Sequence, residues 1–445
     1  MNAGEPIALP RSSARAFASP GPSYAGLLAR ARGLRERLAP LGDGPVCLAS
    51  EDKALVAAAL LAALGGGPRL VLPHATSPAV LAEARQATEY TAALAAPAQP
   101  LPAEVERLDP AGIREAPASD WSPGLRPADA PFIQLFTGGS TGRPRVWSKT
   151  PANLFGEARL LAQRFAIGPE DVFLASVPPL HIYGLLFSVV LPLVAGGRVV
   201  AASPVLPAEI AAALEHQRPT VFVSGPAHYR ALRRSDLRAP GLRLAFSSGG
   251  MLDAADGARF SEHTGVGVSE VYGSTETGGI AVRQRAAGES EWSPLAGVRW
   301  ALAGDRLAVD SAHLSPGLDR DPAGLYVTGD RAAPGGAGRF VLLGRADGIV
   351  KVGGKRVDLL EVEQKLRAVP GVDDACVLAR ERPGRLAEIV ALVVSTRDET
   401  ALRQALADQL PPPAMPRRLL RLDVIPTTGA GKRDARAIDR ILDSD

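Results

Sequence analysis

From Pro45 to about Gly279, the chain alternates short, β-branched apolar runs with longer segments of helical periodicity. The first cycle predicts a strand over Pro45–Ser50, a helix over Lys53–Leu64 that ends at the glycines 65–67, and a strand over Leu70–Leu72. Strands that alternate with helices predict largely parallel sheets covered on both faces. We therefore expect an α/β fold with a large N-terminal domain of doubly wound sheets.

The same cycle returns further along this part of the chain. Strands are predicted at Phe132–Phe136, Val172–Ser176, Arg198–Ala201, Val221–Ser224, Leu244–Ser247 and Val266–Tyr272. Helical patterns lie between them, among them Leu154–Phe165 and Ile210–His216. The stretch Pro97–Pro131 is rich in proline and alanine, which predicts a connector over the surface.

The character of the chain changes after Glu276. Short strands with glycine and proline turns run to about Gly344 and predict a smaller antiparallel portion. A helix at Leu360–Val369 and strands at Ala375–Ala379 and Ile389–Val394 follow. We expect residues 1–346 to form the N-terminal domain and residues 347–445 a small α+β C-terminal domain.

Composition excludes several classes of protein. The 50 basic and 47 acidic residues nearly balance, which argues against nucleic acid or a membrane surface as a general partner. Cys47 and Cys376 are the only two cysteines, too few for a disulfide framework or a paired-cysteine metal site. The apolar runs are shorter than the ~20 residues that span a bilayer, and the N-terminus lacks the apolar core of a signal peptide. We expect a cytoplasmic protein.

A glycine- and hydroxyl-rich loop follows the strand that ends at Phe136. Its residues are Thr137, Gly138, Gly139, Ser140, Thr141 and Gly142. Glycines let backbone amides approach an anion closely and the hydroxyls add donors, so the loop can cradle phosphates. It is not a Walker A motif, because no GK[ST] follows. An ordinary Gly/Ser turn is the alternative.

Two further strand ends carry groups that suit a nucleotide. The pentapeptide Tyr272-Gly273-Ser274-Thr275-Glu276 offers an aromatic face for a base, a hydroxyl for a phosphate and a carboxylate for magnesium. Asp330 lies just beyond a predicted strand, where a carboxylate can accept two hydrogen bonds from ribose hydroxyls. A hairpin with a solvated Glu276 and a simple turn at Asp330 are the alternatives.

The last two motifs lie in flexible surroundings. Asp347 follows Gly344 and precedes Gly348, which suits a hinge, since few residues absorb large φ/ψ changes easily. Lys432 stands on a glycine-rich loop, where a mobile cation can reach developing negative charge. A solvated surface lysine is the commoner case.

Together, in this order, the five motifs between Phe132 and Lys432 resemble the acyl-adenylate-forming superfamily of acyl- and aryl-CoA ligases, peptide-synthetase adenylation domains and luciferases. The resemblance implies that the Thr137–Gly142 loop binds the β- and γ-phosphates of ATP. It also implies roles for five residues around the adenine, the α-phosphate and the metal. Tyr272 would stack on adenine beside Gly249 and Gly250, Thr275 would touch the α-phosphate, and Glu276 would hold Mg²⁺.

The resemblance extends to the C-terminal motifs. Asp330 would bind the ribose with Arg345 nearby, and Asp347 would be the hinge. Lys432 would bridge the substrate carboxylate and the α-phosphate during adenylation. After rotation of the small C-terminal domain about this hinge, the region of Lys351, Gly353 and Gly354 would open a channel for a pantetheine thiol. That thiol would belong to CoA or to a phosphopantetheine group.

The chain departs from the family pattern at the phosphate loop. The usual Pro-Lys-Gly is here Pro144-Arg145-Val146, and Gly138 replaces the commoner serine. Positive charge is kept and a glycine is lost, so the required chemistry remains.

The segment Pro178–Gly184 resembles the one that hydroxycinnamate and benzoate ligases place beside the acyl pocket. Its His181 and Tyr183 would reach a ring hydroxyl or gate the thiol channel, or form a satisfied polar pair. No Asp lies between Val172 and Pro219 to pair with a substrate ammonium, which disfavours an amino acid. By the same resemblance, the pocket wall would include Val223, Pro226, His228, Phe246 and Ser248.

The sequence thus predicts an AMP-forming ligase that joins an aryl or acyl carboxylic acid to a thiol, with His181, Thr275, Glu276 and Lys432 as catalytic residues. Two alternatives are a stand-alone amino-acid adenylation domain and a non-catalytic relative that binds adenylates. Since no carrier domain follows Lys432, the thiol should come from another molecule, CoA or an acyl carrier protein. Basic residues favour an acidic carrier. They are Lys351, Lys355, Arg356, Arg417, Arg418, Arg421, Lys432, Arg433, Arg436 and Arg440.

Overall fold

The computed structural model describes residues 14–42, 44–117, 121, 123–124, 126–137, 145–284, 288–352, 355–380, 388–407, 409–428 and 433–444. The described residues form two compact units. The first contains the residues up to Arg299 and Asp310–Arg320, and the second contains Trp300–Val309, Asp321–Thr428 and the residues after 432. The predicted boundary between residues 346 and 347 stays a prediction.

The first unit holds two sheets and the helices that cover them. Its strands are β1 (Ala18–Ser19), β2 (Val46–Leu48), β3 (Leu70–Leu72), β4 (Ala92–Leu94), β5 (Glu106–Leu108), β6 (Ile133–Thr137), β7 (Arg145–Lys149), β8 (Val172–Ala175), β9 (Arg198–Val200), β10 (Val221–Ser224), β11 (Leu244–Ser247), β12 (Val268–Ser274), β13 (Gly278–Gln284) and β14 (Ser293–Pro294). Its helices are α1 (Tyr24–Leu38), α2 (Lys53–Leu64), α3 (Pro78–Thr88), α4 (Pro151–Arg164), α5 (Ile182–Leu185), α6 (Leu191–Ala195), α7 (Pro207–His216), α8 (Pro226–Ala231) and α9 (Ala254–Thr264). A π-helical stretch, Leu186–Val190, joins α5 to α6.

Both sheets are largely parallel, as predicted. The six-stranded sheet has the order β5-β4-β2-β3-β6-β7, and only β7 in it is antiparallel to its neighbour. The eight-stranded sheet has the order β1-β9-β8-β10-β11-β12-β13-β14, with antiparallel pairs only from β12 onward. Parallel neighbours end at the same edge of the sheet, and this edge is where α/β proteins bind ligands.

Helices cover both faces of each sheet. One core is shared by α1, α2, α4 and residues of both sheets, such as Leu72 and Val223. A second core packs α7, α8 and α9 on the other face of the eight-stranded sheet. A third packs α3 on the six-stranded sheet through Leu81. The doubly wound arrangement predicted from the alternation is therefore confirmed.

The sequence signals for α2 are local, which is why its bounds were predicted correctly. Asp52 caps the helix by accepting hydrogen bonds from the amides of Ala54 and Leu55. The helix ends at Gly65, and all of its residues are buried. An apolar helix without a polar face has to lie inside the protein.

Two predictions about elements need correction. The expected connector Pro97–Pro131 contains β5, which extends the six-stranded sheet by pairing with β4. Asp330 lies inside a strand rather than beyond one. In both places the backbone pairs with another strand, Glu106 with Ala92 and Asp330 with Arg345. Proline or glycine content does not reveal such a partner.

The second unit is mainly antiparallel. Its strands are β15 (Arg299–Ala303), β16 (Arg306–Asp310), β17 (Tyr326–Pro334), β18 (Phe340–Arg345), β19 (Ile349–Val352), β20 (Lys355–Asp358), β21 (Val372–Arg380), β22 (Glu388–Ser395) and β23 (Arg418–Arg421). Its helices are α10 (Leu359–Ala368), α11 (Glu399–Ala407) and α12 (Ala435–Ser444). The sheets are β15-β16-β17-β18, β19-β20 and β21-β22-β23, in which β22 and β23 are parallel. The predicted antiparallel portion and α+β segment are confirmed.

Candidate active site

The strands that flank the phosphate loop pair with each other. β6 ends at Thr137 and β7 begins at Arg145, and these two residues are antiparallel partners. Trp147 Nε1 donates a hydrogen bond to Thr137 Oγ1 over 3.1 Å. The predicted residues Gly138, Gly139, Ser140, Thr141 and Gly142 lie outside the described residues, so their phosphate contacts stay a prediction.

The Tyr272–Glu276 motif forms the end of β12 and a tight turn. Ser274 and Thr277 close the turn, since each amide donates to the other's hydroxyl, over 3.0 and 3.2 Å. A Cβ atom at Gly273 would lie 2.2 Å from the carbonyl oxygen of Gly278, so only glycine fits there. Thr275 is buried within the turn and Glu276 is partly exposed.

A buried lysine that was not predicted from the sequence donates a hydrogen bond to the backbone of this turn. Lys149, at the end of β7, is 1% exposed. Its Nζ donates to the carbonyl oxygens of His313, over 2.8 Å, and of Glu276, over 3.4 Å. Burial lowers the pKa of Lys149 to about 8, although the carboxylates of Glu157 and Glu276 act in the opposite direction. No local pattern marks this lysine, because His313 is 164 residues away in the sequence.

The Glu276 turn fits a magnesium ion of the kind that binds with a nucleotide. Glu276 is partly exposed, and a carboxylate is a ligand that a hard cation prefers. Across the described ranges, no group of three or more His, Cys, Asp or Glu residues could hold a metal by itself. Magnesium is usually bound by one or two carboxylates together with substrate phosphates and water. The site therefore suits Mg²⁺ that arrives with ATP.

The predicted adenine site combines the ends of two neighbouring strands. Ser248 Oγ donates to the carbonyl oxygen of Val271 over 2.8 Å. This bond holds the loop that contains Gly249 and Gly250 against β12, next to Tyr272. Gly249 has a φ of +85°, which favours glycine. These predicted residues are thus close together, and the binding of adenine between them stays a prediction.

The predicted acid pocket contains an aromatic cluster. The rings of Tyr183 and Phe187 lie 5.0 Å apart, as do those of Phe187 and Phe246. Phe165 contacts Phe246 edge to face at 4.8 Å. Val223 belongs to the same core. Sequence reasoning named Tyr183, Val223 and Phe246 but missed Phe187, which lies in the π-helical stretch.

A row of serines lies at or just after the ends of the neighbouring strands β8, β10 and β11. Ser176, Ser224 and Ser247 are all 0% exposed. Ser176 Oγ lies 2.7 Å from Ser224 Oγ and 2.9 Å from His228 Nδ1. Tyr183 OH donates to the carbonyl oxygen of Ser224 over 3.1 Å. Burial lowers the pKa of His228, so its imidazole is neutral at neutral pH.

The remaining predicted pocket residues stand at the starts of two helices. His181 immediately precedes α5, and Pro226 is the first residue of α8. The structure therefore brings the strand ends, His228 and Tyr183 together. Sequence reasoning missed the serines, since a single serine after a strand is too common to indicate a site.

In the second unit, three predicted residues meet at the end of β18. Asp330 is the antiparallel partner of Arg345, and their charged groups are 3.8 Å apart. Arg345 also donates to both oxygens of Asp347, over 2.8 and 2.9 Å. These hydrogen bonds lower the pKa of Asp347. Lys351 lies in β19, whereas Gly353, Gly354, Lys432 and the side chain of Lys351 are outside the described residues.

Arg433, one of the predicted basic residues, has a role within the fold of the second unit. Arg433 forms a two-point ion pair with Asp374, over 2.8 and 2.6 Å. Arg417, Arg421, Arg436 and Arg440 are exposed. β23 and α12, which carry these exposed arginines or adjoin them, pack in one apolar cluster. No described helix is long and apolar enough to cross a membrane.

Comparison with known proteins agrees with this geometry. The model of the AMP-binding enzyme family matches residues 46–335, and that of the AMP-binding enzyme C-terminal domain matches residues 361–432. A 4-coumarate–CoA ligase of Cereibacter sphaeroides is 31% identical over 303 residues, covering 66% of this chain and 68% of that protein. The phosphinothricin tripeptide synthetase PhsC of Streptomyces viridochromogenes is 30% identical over 367 residues, 74% of this chain and 33% of that protein. ATP-bound MatB from Rhodopseudomonas palustris has the same fold, with a TM-score of 0.82 at 24% identity over 99% of both chains.

Proposed function

We infer that this chain, which belongs to the AMP-binding enzyme family, has its active site at the Glu276 turn and in the pocket around Tyr183. The substrate of this site would be an aromatic or medium-chain acid. The chain is an AMP-forming acid–thiol ligase. In the first half-reaction a carboxylate oxygen attacks the α-phosphorus of ATP, and the bond to pyrophosphate breaks. In the second a thiol attacks the acyl-adenylate, giving a thioester and AMP.

One observation carries the assignment of the site. The neighbouring parallel strands β8, β10, β11 and β12 all end at one edge of the eight-stranded sheet. The segments that follow them contain His181, His228, Gly249 and Glu276. Ligands of open α/β sheets bind outside the carboxyl ends of the strands. Residues that the family resemblance assigns to the acid, the adenine and the metal therefore follow strands that end at one edge of the sheet.

The nucleotide roles follow from this placement and from the family motifs. The Thr137–Gly142 loop would hold the β- and γ-phosphates, and Tyr272 would stack on adenine. Thr275 would donate to the α-phosphate, and Asp330 would bind the ribose. Glu276 would hold Mg²⁺, which neutralises charge on the phosphates when bound. Lys432 would contribute a positive charge between the carboxylate and the α-phosphate.

The side chains of the pocket support a carboxylic acid whose remaining part is uncharged and largely apolar. Tyr183, Phe187 and Phe246 form an aromatic wall. His228 is neutral, and its Nδ1 is already paired with Ser176. A substrate ammonium buried here would need a carboxylate, and the segment between Val172 and Pro219 has no Asp to supply one.

The acyl acceptor would be a pantetheine thiol on CoA or on a carrier protein. The 4-coumarate–CoA ligase relative acts with CoA by its name, and the PhsC relative is a peptide synthetase. The exposed arginines of the second unit favour an acidic carrier protein, since complementary charge speeds association.

The assignment is tested by ATP–pyrophosphate exchange with a panel of carboxylic acids. We expect exchange with benzoates, cinnamates or medium-chain fatty acids, and none with the matching α-amino acids. Exchange with an amino acid alone would overturn the acid class. Exchange that persists at full rate in Glu276→Gln would overturn the assignment of the site.

A further inference from the structure

We propose that Lys149 is a positioning residue for Glu276: its buried ammonium fixes the backbone of the metal-binding turn and so sets the affinity of the site for Mg²⁺ and ATP. The inference rests on the proposed function of Glu276 as the magnesium ligand. Lys149 would touch neither the metal nor the substrate.

The backbone of Glu276 is held at a single carbonyl oxygen by two donors. The amide of Ser315 donates to it over 2.7 Å, and Lys149 Nζ donates to it over 3.4 Å. The same Nζ donates over 2.8 Å to the carbonyl oxygen of His313. Lys149 therefore ties the Glu276 turn to the segment 313–315, which itself holds Glu276.

Residues that follow Lys149 add further hydrogen bonds to the same region, and we call residues 149–157 the clamp. Asn153 Nδ2 donates to the carbonyl oxygen of Ala312 over 2.7 Å. Glu157 Oε1 accepts a hydrogen bond of 2.7 Å from the amide of Gly279. Asn153 also forms a capping box with Thr150, which fixes the start of α4. One stretch, 149–157, thus binds Glu276 itself and two segments that follow it in the chain, at Gly279 and at residues 312–313.

The clamp is also linked to the phosphate loop. Lys149 is the last residue of β7, and β7 pairs along its length with β6, which ends at Thr137. The position of the Glu276 turn is therefore set relative to the strands on either side of the loop. Such a fixed position would let Glu276 hold Mg²⁺ when ATP is bound, because binding groups have to be held to within about 0.5 Å.

A lysine is an unfavourable way to fill this space unless its hydrogen bonds are needed. Burying an ammonium is costly, and apolar residues of similar volume are often at least as stabilising as buried charges. The chain offers a matched control in Lys53. Lys53 is also 1% exposed, and its Nζ also donates to two carbonyl oxygens, those of Val200 and Ala202, over 2.9 and 2.8 Å. Those carbonyls are not in the Glu276 turn.

The experiment compares Lys149→Met, Lys149→Gln and Lys53→Met with the unchanged chain. Titration calorimetry measures ATP affinity over a series of Mg²⁺ concentrations, and electron paramagnetic resonance measures Mn²⁺ bound in the presence of ATP. ATP–pyrophosphate exchange gives the half-saturating Mg²⁺ and the KM for the acid. We expect Lys149→Met to raise the half-saturating Mg²⁺ by about 10- to 100-fold, as for other residues that orient a metal ligand. The KM for the acid should stay within about threefold.

Lys149→Gln keeps a donor without the charge and should raise the half-saturating Mg²⁺ less than Lys149→Met does. If Lys149→Met does not fold, an increase in Lys149→Gln that Lys53→Met lacks supports the proposal. Unchanged metal affinity in the folded Lys149 variants would overturn it, as would an equal change in Lys53→Met. Glu276→Gln separates the two proposals: if it leaves the Mg²⁺ dependence unchanged, the role of Glu276 fails, and the role of Lys149 fails with it.

Discussion

Arg345 and Asp347 form a two-point ion pair across a single intervening residue, with N–O distances of 2.8 and 2.9 Å. Arg345 also lies 3.8 Å from Asp330, its partner across β17 and β18. The guanidinium of Arg345 therefore lies within ion-pair distance of Asp330, the proposed ribose-binding residue, and of Asp347, the proposed hinge residue.

The hinge is tested by Asp347→Pro. Proline fixes φ near −65°, so the variant should be trapped in one orientation of the small domain. Adenylation and thioester formation, measured separately by pyrophosphate exchange and by single turnover from acyl-adenylate, should then fall by very different factors. Asp347→Ala is the control, because it removes the ion pair without restricting φ. Equal slowing of both steps by proline would rule out rotation at this residue.

Lys432→Ala tests the division of labour between the two half-reactions. The variant should lose about 3–4 kcal/mol of transition-state stabilisation in adenylation, as for one preorganised donor. Thioester formation from presynthesised acyl-adenylate should be largely spared. The control is Arg259→Ala, an exposed cation on α9. Equal losses in both half-reactions would contradict the proposed role.

His228→Ala tests the acid pocket. A neutral imidazole hydrogen bond contributes about 0.5–1.5 kcal/mol, so the KM for the acid should rise up to about tenfold with the KM for ATP unchanged. His216→Ala, on the exposed part of α7, is the control. Because burial lowers the pKa of His228, its contribution should be constant above pH ~6.5, the usual pKa of histidine, and should weaken only in acid. A parallel rise in both KM values would place His228 elsewhere.

Lys53 should make stability depend on pH. Burial lowers its pKa from 10.5 to about 8, so between these values the unfolded state binds more protons than the folded state. Stability contributed at this site therefore rises with pH. Relative to Lys53→Met, the wild type should gain about 2 kcal/mol of unfolding free energy between about pH 7 and about pH 9.5. Urea unfolding measures this difference, and a gain toward low pH would contradict the assignment.

The comparison between the wild type and Lys53→Met also cancels the contributions of groups whose titration has the opposite effect on stability. Burial raises the pKa of Cys47 to about 12 and also raises that of Tyr24. Both groups lower the unfolding free energy of the protein as pH rises, and they do so equally in the wild type and in Lys53→Met.

The exposed arginines test the acyl acceptor. Arg436→Glu combined with Arg440→Glu should lower kcat/KM for an acidic holo-carrier protein at low salt and leave that for CoA unchanged. High salt should produce the same loss in the wild type, because screening removes charge steering. Arg259→Glu, on α9 of the first unit, is a control of similar exposure. Rapid, salt-insensitive turnover with CoA alone would exclude the carrier protein.

Features that depend on neighbouring residues could be predicted from the chain without coordinates. The bounds of α2, β3, β10 and β11 were predicted to the residue, because apolar runs and the glycines or caps at their ends lie within a few positions. The motif at Tyr272–Glu276 was found for the same reason, since its chemistry is contained in five consecutive residues.

Features that depend on distant pairing became visible only in the folded chain. Lys149 finds His313 164 residues away, and Ser176 finds His228 52 residues away. The strand β5 pairs with β4, and the composition of the segment did not indicate this pairing. Periodicity reports which face of an element is buried, whereas the topology of the sheets determines which residues meet there. The residues that hold Glu276 in place therefore belong to the second kind, although Glu276 itself belongs to the first.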